Sequence, residues 1–255
     1  MEPIIENNIR VDIHDHLENQ HGGKYSAYIK NLIFGGIDGV ITTFAIITAS
    51  YAADLNIKTV IILGLSNVLA DGFSMGFGEY ASSCSEMKHF RSEQKKELTE
   101  YDENFNYERQ ELVELYILKG LNETDAKSIV DILSKPKNKN VFIDHMMLLE
   151  LNIPTPDDHT EVITKSVVTC VSFYLFGLFP LIVYILAKLV SFQNKDFIYG
   201  YTCIVCAITL FSIGGIGSYI SKQPILSGGL ITLSNGVIAS SLAYFVGYIL
   251  NYGLS

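Results

Sequence analysis

Apolar residues fall into five blocks long enough to cross a membrane as helices: Leu32–Ala53, Val60–Tyr80, Val167–Val190, Phe197–Ile220 and Ile225–Leu250. Roughly 20 helical residues span a hydrocarbon core about 30 Å thick. Helices are required, because an open sheet would leave backbone groups without partners in lipid. The last three blocks are nearly uninterrupted, whereas the first two carry Asp38, Asn67, Asp71 and Glu79. A charged stretch rich in helix formers separates the second block from the third. The pattern predicts an all-α polytopic membrane protein with five transmembrane helices. Its domains would be an N-terminal segment over 1–30, helices one and two over 31–80, a helical insert over 81–165, and helices three to five over 166–255.

Inside the insert, the second span is predicted to continue as helix to about Glu100. Asn104 and Asn106 favour turns, so a break is expected at Tyr101–Asn106. A helix over about Tyr107–Lys119 would stop at Gly120. Another over Leu121–Leu133 would have Asn122 as N-cap and Pro136 beyond it. A last one, about Val141–Leu151, would end before Pro154 and Pro156.

Charge fixes an orientation. The chain has 18 Lys+Arg and 27 Asp+Glu in 255 residues, a formal charge of −9, and the region 80–165 holds 11 of the bases and 17 of the acids. Lys and Arg accumulate on the cytosolic side of membrane proteins. With the N-terminus and the insert in the cytosol, 15 bases lie inside; Lys58, Lys188 and Lys195 are the 3 outside. The C-terminus is then luminal, and the sequon Asn122-Glu123-Thr124 stays unmodified. The acidic balance and the lack of a basic stripe argue against nucleic acid as a partner; membrane lipid is the expected surrounding. No cleavable signal peptide is expected in residues 1–24. The four cysteines make no disulfide framework, and Cys203-x-x-Cys206 reads as two small buried hydrophobes within a span. His14-Asp15-His16 is at most a weak metal scavenger.

Ionisable residues inside spans suggest a pathway or a site. Asp38 and Asp71 each lie about eight residues from the cytosolic end of antiparallel helices, which places both roughly 12 Å deep at 1.5 Å per residue. Asn67, Asp71, Met75 and Glu79 recur every fourth residue and so share one helix face. Carboxylates plus a thioether suit a borderline divalent transition ion better than Mg²⁺ or Ca²⁺. The plainer alternative is helix packing, since Gly35, Gly36, Gly39, Gly72, Gly76 and Gly78 imply close backbone approach. An intramembrane aspartyl protease would also need two aspartates, but its Gly-x-Gly-Asp signature is missing from Gly35-Gly36-Ile37-Asp38. A carrier, not an enzyme, is expected.

The insert holds two Glu-x-x-Glu pairs, Glu97/Glu100 and Glu108/Glu111. Spacing of three puts both carboxylates of a pair on one helix face. On an unbroken helix the pairs would be about 16 Å apart and could not share an ion; a break between them lets four carboxylates converge. Met146 and Glu150, at i and i+4 on the last helix, could close a divalent-cation site. Few bases match these faces, so the carboxylates would repel one another without a cation.

The runs Gly36–Ala45, Ala70–Gly76 and Gly78-Glu79-Tyr80, with Ser85-Glu86, Phe142–Glu150 and Phe179-Pro180-Leu181, resemble the vacuolar iron transporter family. The resemblance covers most of the chain from about residue 25. It implies a homodimer with five spans per chain and proton-coupled export of cytosolic Fe²⁺ into an acidic vacuole-like store. It also implies Asp38 and Met75 as pore residues, and Glu97, Glu100, Glu108, Glu111, Met146 and Glu150 as cytosolic metal ligands. Two departures stand out: plant-type members have a glutamate at the position of Asn67, and the break between the Glu pairs lacks their usual proline. Asp71, one turn on, is the expected substitute for that glutamate. No prosthetic group is expected; the bound and transported ion would be Fe²⁺, with Zn²⁺, Co²⁺, Ni²⁺ and Mn²⁺ as competitors. The alternative function is a membrane-anchored metal sensor or buffer, with spans that only anchor and dimerise.

Overall fold

The computed structural model describes residues 23–156 and 158–253, with side chains from Tyr28 onward. His14 and His16 lie outside the described residues. Among the described residues seven α-helices follow in order: α1 (Gly23–Ala52), α2 (Ile57–Leu118), α3 (Glu123–Leu133), α4 (Lys139–Leu149), α5 (His159–Leu189), α6 (Lys195–Ile220) and α7 (Ile225–Gly253), with a 3₁₀ turn at Pro136–Asn138 before α4. No strand occurs among the described residues. Five helices (α1, α2, α5, α6 and α7) are long and apolar enough to cross a membrane, so the protein is an all-α polytopic membrane protein. The chain divides into two compact units, one made of residues up to Tyr80 with those from Ile163, the other of Ala81–Val162.

In the spanning unit, small residues let α5 approach α1 and α2. A Cβ on Gly39 would sit 2.6 Å from the Phe173 carbonyl of α5, and one on Gly76 would sit 2.7 Å from Cys170 Cβ. Backbones this close gain dispersion contacts that lipid cannot match. Gly64, Val68, Gly72 and Gly76 thus form the buried stripe of α2. A second core joins α1 to α6 through Val40, Phe44, Cys206, Leu210 and Ile213. Leu230, Ile231, Ile238, Leu242 and Phe245 of α7 are exposed, as befits a helix whose outer solvent is hydrocarbon.

Three of the turns in this unit follow one rule. Asp54, Ser191 and Lys222 take positive φ (54°, 58° and 55°) after α1, α5 and α6. In each case the next amide reaches back to the helix: Leu55 N–H to Ser50 O, Phe192 N–H to Ala187 O, Gln223 N–H to Ser218 O. These bonds satisfy carbonyls that the helix ends would otherwise leave unpaired.

The insert has its own core of Phe90, Leu112, Val113, Ala126, Val130, Phe142, Ile143, Met146 and Met147. The break expected at Tyr101–Asn106 narrows to one residue, Asn104, which leaves helical geometry at φ −134°, ψ 42°. Packing explains why the loop is so short: Phe142 of α4 meets the ring of Tyr101 at 5.1 Å, and Phe105 meets Tyr101 at 4.9 Å, both edge-on. Gly120 ends α2 at φ 105°, and Asn122 caps α3 by accepting from Asp125 N–H at 2.9 Å. The last helix starts and ends two residues earlier than its sequence suggests, at Lys139 and Leu149.

Candidate functional site

Within the spans, the polar line of α2 lies beside its small-residue stripe. Asn67, Asp71, Met75 and Glu79 are all half-buried, while Gly64, Val68, Gly72 and Gly76, on the neighbouring line, are buried. Asn67 Nδ2 donates to Asp71 Oδ2 at 2.6 Å. Asp38 is half-buried on α1 and lies within electrostatic reach of Asp71. Thr42 Oγ1 donates to the Asp38 backbone carbonyl at 2.7 Å, which leaves the Asp38 carboxylate out of that bond. Glu79 accepts from Asn31 Nδ2 at 3.0 Å, and the same amide donates to Thr169 Oγ1 at 2.8 Å. Asn31 and Thr169 escape a sequence reading because Asn31 precedes the first apolar block by one position. Its spacing of four from Gly35 and of eight from Gly39 is the signal that places it on the face toward α5.

In the insert the break at Asn104 turns α2 back on itself. Carboxylate oxygens of Glu97, Glu100 and Glu108 all lie within 4.8 Å of one another. Three oxygens sharing one divalent ion at about 2.6 Å stand up to about 4.5 Å apart, so this cluster lies close to the spread that one cation can bridge. Glu97 and Glu108 are 4% and 5% exposed, and Glu97 Oε2 is buried without a hydrogen-bond partner. A buried carboxylate oxygen with no donor is costly unless a cation or proton neutralises it.

Three of the bases nearby are committed elsewhere. Lys96 pairs with Glu93 at 2.7 Å, Lys139 with Asp102 at 2.5 Å, and Arg109 with Asp131. Burial, followed by the charges of Glu150, Glu100, Glu108 and Glu111, pushes the Glu97 carboxyl up to about 7. Burial and then Glu111, Glu100 and Glu150 push Glu108 up to about 7. Glu150 is raised by burial and by Glu111 and Glu100. The structure thus gathers Glu97, Glu100 and Glu108 at ligand distance and brings Glu111 and Glu150 into their field. Met146 is fully buried in the apolar core, one helical turn before Glu150.

A model of the VIT family matches residues 29–248. Among relatives, a vacuolar iron transporter of Toxoplasma gondii is 38% identical over 240 residues, covering 92% of this chain and 78% of the relative. One of Plasmodium falciparum is 33% identical over 253 residues, covering 96% and 92%. Vacuolar iron transporter 1 of Arabidopsis thaliana is 26% identical over 216 residues, covering 85% and 83%. A match across nearly all of the five spans and the insert between them leaves one assignment: the chain belongs to the VIT family.

Proposed function

We propose that the protein carries Fe²⁺ across the membrane it spans, from the cytosol into an acidic vacuole-like compartment, in exchange for protons and as a homodimer. The observation that carries this reading is the half-buried line Asn67, Asp71, Met75 and Glu79 with Asp38 in electrostatic reach of Asp71. Ionisable groups at such depth are expensive unless they serve a path. The names of the relatives supply iron and the vacuole, and the Lys/Arg asymmetry supplies the cytosolic placement of the insert.

In this mechanism the insert gathers the ion on Glu97, Glu100 and Glu108, with Glu111, Glu150 and Met146 completing the set. The ion then passes Glu79, Met75, Asp71 and Asp38. Carboxylates bind either the cation or protons, so an acidic far side favours release and couples the two flows. Two-fold pairing would double the ligands around a shared axis. The protein works as a carrier. Zn²⁺, Co²⁺ and Ni²⁺ would compete, and Mn²⁺ would bind more weakly.

Flux in proteoliposomes under an imposed pH gradient tests this directly. Wild type should load Fe²⁺ and Asp38→Ala should not, while both bind metal at the insert. Equal loading by Asp38→Ala rejects the pathway. Metal binding with no flux by wild type selects a membrane-anchored sensor or buffer instead.

A further inference from the structure

The three bases that break the Lys/Arg asymmetry of this chain, Lys58, Lys188 and Lys195, converge in space. They line a single cavity of about 250 Å³ at the end of the spanning unit where α1 turns into α2 and α5 turns into α6. Asn56, Phe192 and Gln193 line it with them.

Helix ends and two acids, Asp54 and Asp196, modify the field of these lysines. Two helix N-termini open there. α2 begins at Ile57, with Asn56 Oδ1 accepting from Thr59 N–H at 2.9 Å, and α6 begins at Lys195, with the Asn194 side chain accepting from Phe197 N–H. Lys58 sits in the first turn of α2 and Lys195 starts α6, positions where the helix dipole disfavours a cation. Only Lys188, in the last turn of α5, has the dipole in its favour. Lys195 is compensated by Asp54, with Nζ 2.6 Å from Oδ1. Lys58 and Lys188 have no ion pair among the described residues. Asp196, in the first turn of α6, offsets that helix end and accepts from the Tyr51 hydroxyl at 2.8 Å. Two uncompensated ammonium groups and the positive end of α2 therefore face one cavity, an arrangement that an anion would relieve.

We infer that this cavity binds a phosphate group. Lysine ammonium groups, each with three rotatable donors, suit a tetrahedral anion approached from several sides. The cavity lies at the ends of the spans, and Phe192 and Ile57 give it an apolar wall. The phosphate can come from an anionic phospholipid or from a soluble anion, and the chemistry of recognition is the same. This site is separate from the carboxylates of the transport reading and does not depend on them.

Native mass spectrometry of the full chain in detergent, titrated with phosphatidylglycerol against phosphatidylcholine, reads the lipid arm. Thermal melting with inorganic phosphate reads the soluble arm. The chain should hold phosphatidylglycerol over phosphatidylcholine, or be stabilised by phosphate, or both. Preference for the lipid alone assigns the headgroup, and protection by phosphate alone assigns the soluble anion. At about fivefold per lysine, Lys58→Gln with Lys188→Gln should weaken binding about 25-fold. Lys58→Arg with Lys188→Arg should preserve it and guards against a misfolded variant. Lys222→Gln, which removes a base from the α6–α7 turn, should leave it unchanged. The inference is overturned if neither anion binds above its control, if the double Gln variant binds as wild type does, or if Lys222→Gln weakens binding equally.

Discussion

Asn31 of α1 holds Glu79 of α2 through a 3.0 Å hydrogen bond, and the same side-chain nitrogen reaches Thr169 of α5 at 2.8 Å. One buried amide, 9% exposed, thus ties three spans together at the carboxylate that ends the polar line of α2. Replacing it with an apolar side chain of similar size removes both bonds and leaves Glu79 without that donor. Asn31→Leu is expected to destabilise the protein by about 1–3 kcal/mol, seen as a lower melting temperature in detergent, and to reduce Fe²⁺ flux. A double-mutant cycle with Glu79→Leu should be non-additive. Additive effects would show that the bond contributes nothing.

The carboxylate cluster of the insert sets a pH dependence whose sign is opposite to that of a salt-bridged acid. Glu97 and Glu108 are pushed up to about 7 from an ordinary value of 4.5. Between these values the folded chain holds more protons than the unfolded one, so stability falls as pH rises. The stabilising contribution is fully present below about pH 4.5 and is lost as pH climbs through about 7. Metal-free protein should therefore show faster hydrogen exchange over residues 97–111 at about pH 8 than at about pH 5, after correction for intrinsic rates, and Fe²⁺ or Co²⁺ should restore protection. Glu97→Gln should flatten the profile by removing one repelling charge, and it should weaken the cation's protective effect. Protection that increases with pH in the metal-free chain would contradict the arrangement.

The fold was largely legible in the sequence, because spans in lipid must be long apolar helices. The ends of those helices were less so. Gly120 announces its own stop, but Asp54, Ser191 and Lys222 occupy the same left-handed position without glycine, and only the backbone bonds that reach past them reveal it. In the insert, the spacing of Glu97, Glu100, Glu108 and Glu111 exposes the pairs, and Asn104 exposes the break. Which acids would be buried was not legible, since burial of Glu97 and Glu108 depends on α4 packing across the break. Asn31 lay just outside the apolar block, where a polar residue looks like ordinary headgroup-level sequence.

That packing, and not the local preference of Asn104, should hold the Glu pairs together. Asn-to-Ala changes alter helix propensity by only about 0.7 kcal/mol, whereas straightening α2 would pull Tyr101 and Phe105 away from Phe142. Asn104→Ala is therefore expected to leave metal affinity close to wild type. Phe142, fully buried in the insert core, is the stronger lever. Phe142→Ala should cost about 3–5 kcal/mol and weaken cation binding as the arms of α2 separate. Titration calorimetry on the full chain distinguishes the two, and a large loss in Asn104→Ala with none in Phe142→Ala would invert the argument.

The amide of Asn67 is spent on Asp71 at 2.6 Å. A neutral donor there holds the carboxylate in one orientation without adding a second charge to the proposed path. Asn67→Leu removes the donor at similar volume; a hydrogen bond to a charged group contributes about 1.5–3 kcal/mol, so flux is expected to fall about tenfold or more if that energy is needed to orient Asp71 toward the ion. Cation binding by the insert, which lies in a separate unit, should not change. Measuring Fe²⁺ uptake in proteoliposomes alongside calorimetry on the same preparation separates the two effects. Undiminished uptake by Asn67→Leu would mean that the orientation of Asp71 does not limit transport and would move the controlling contact to Asp38 or Glu79.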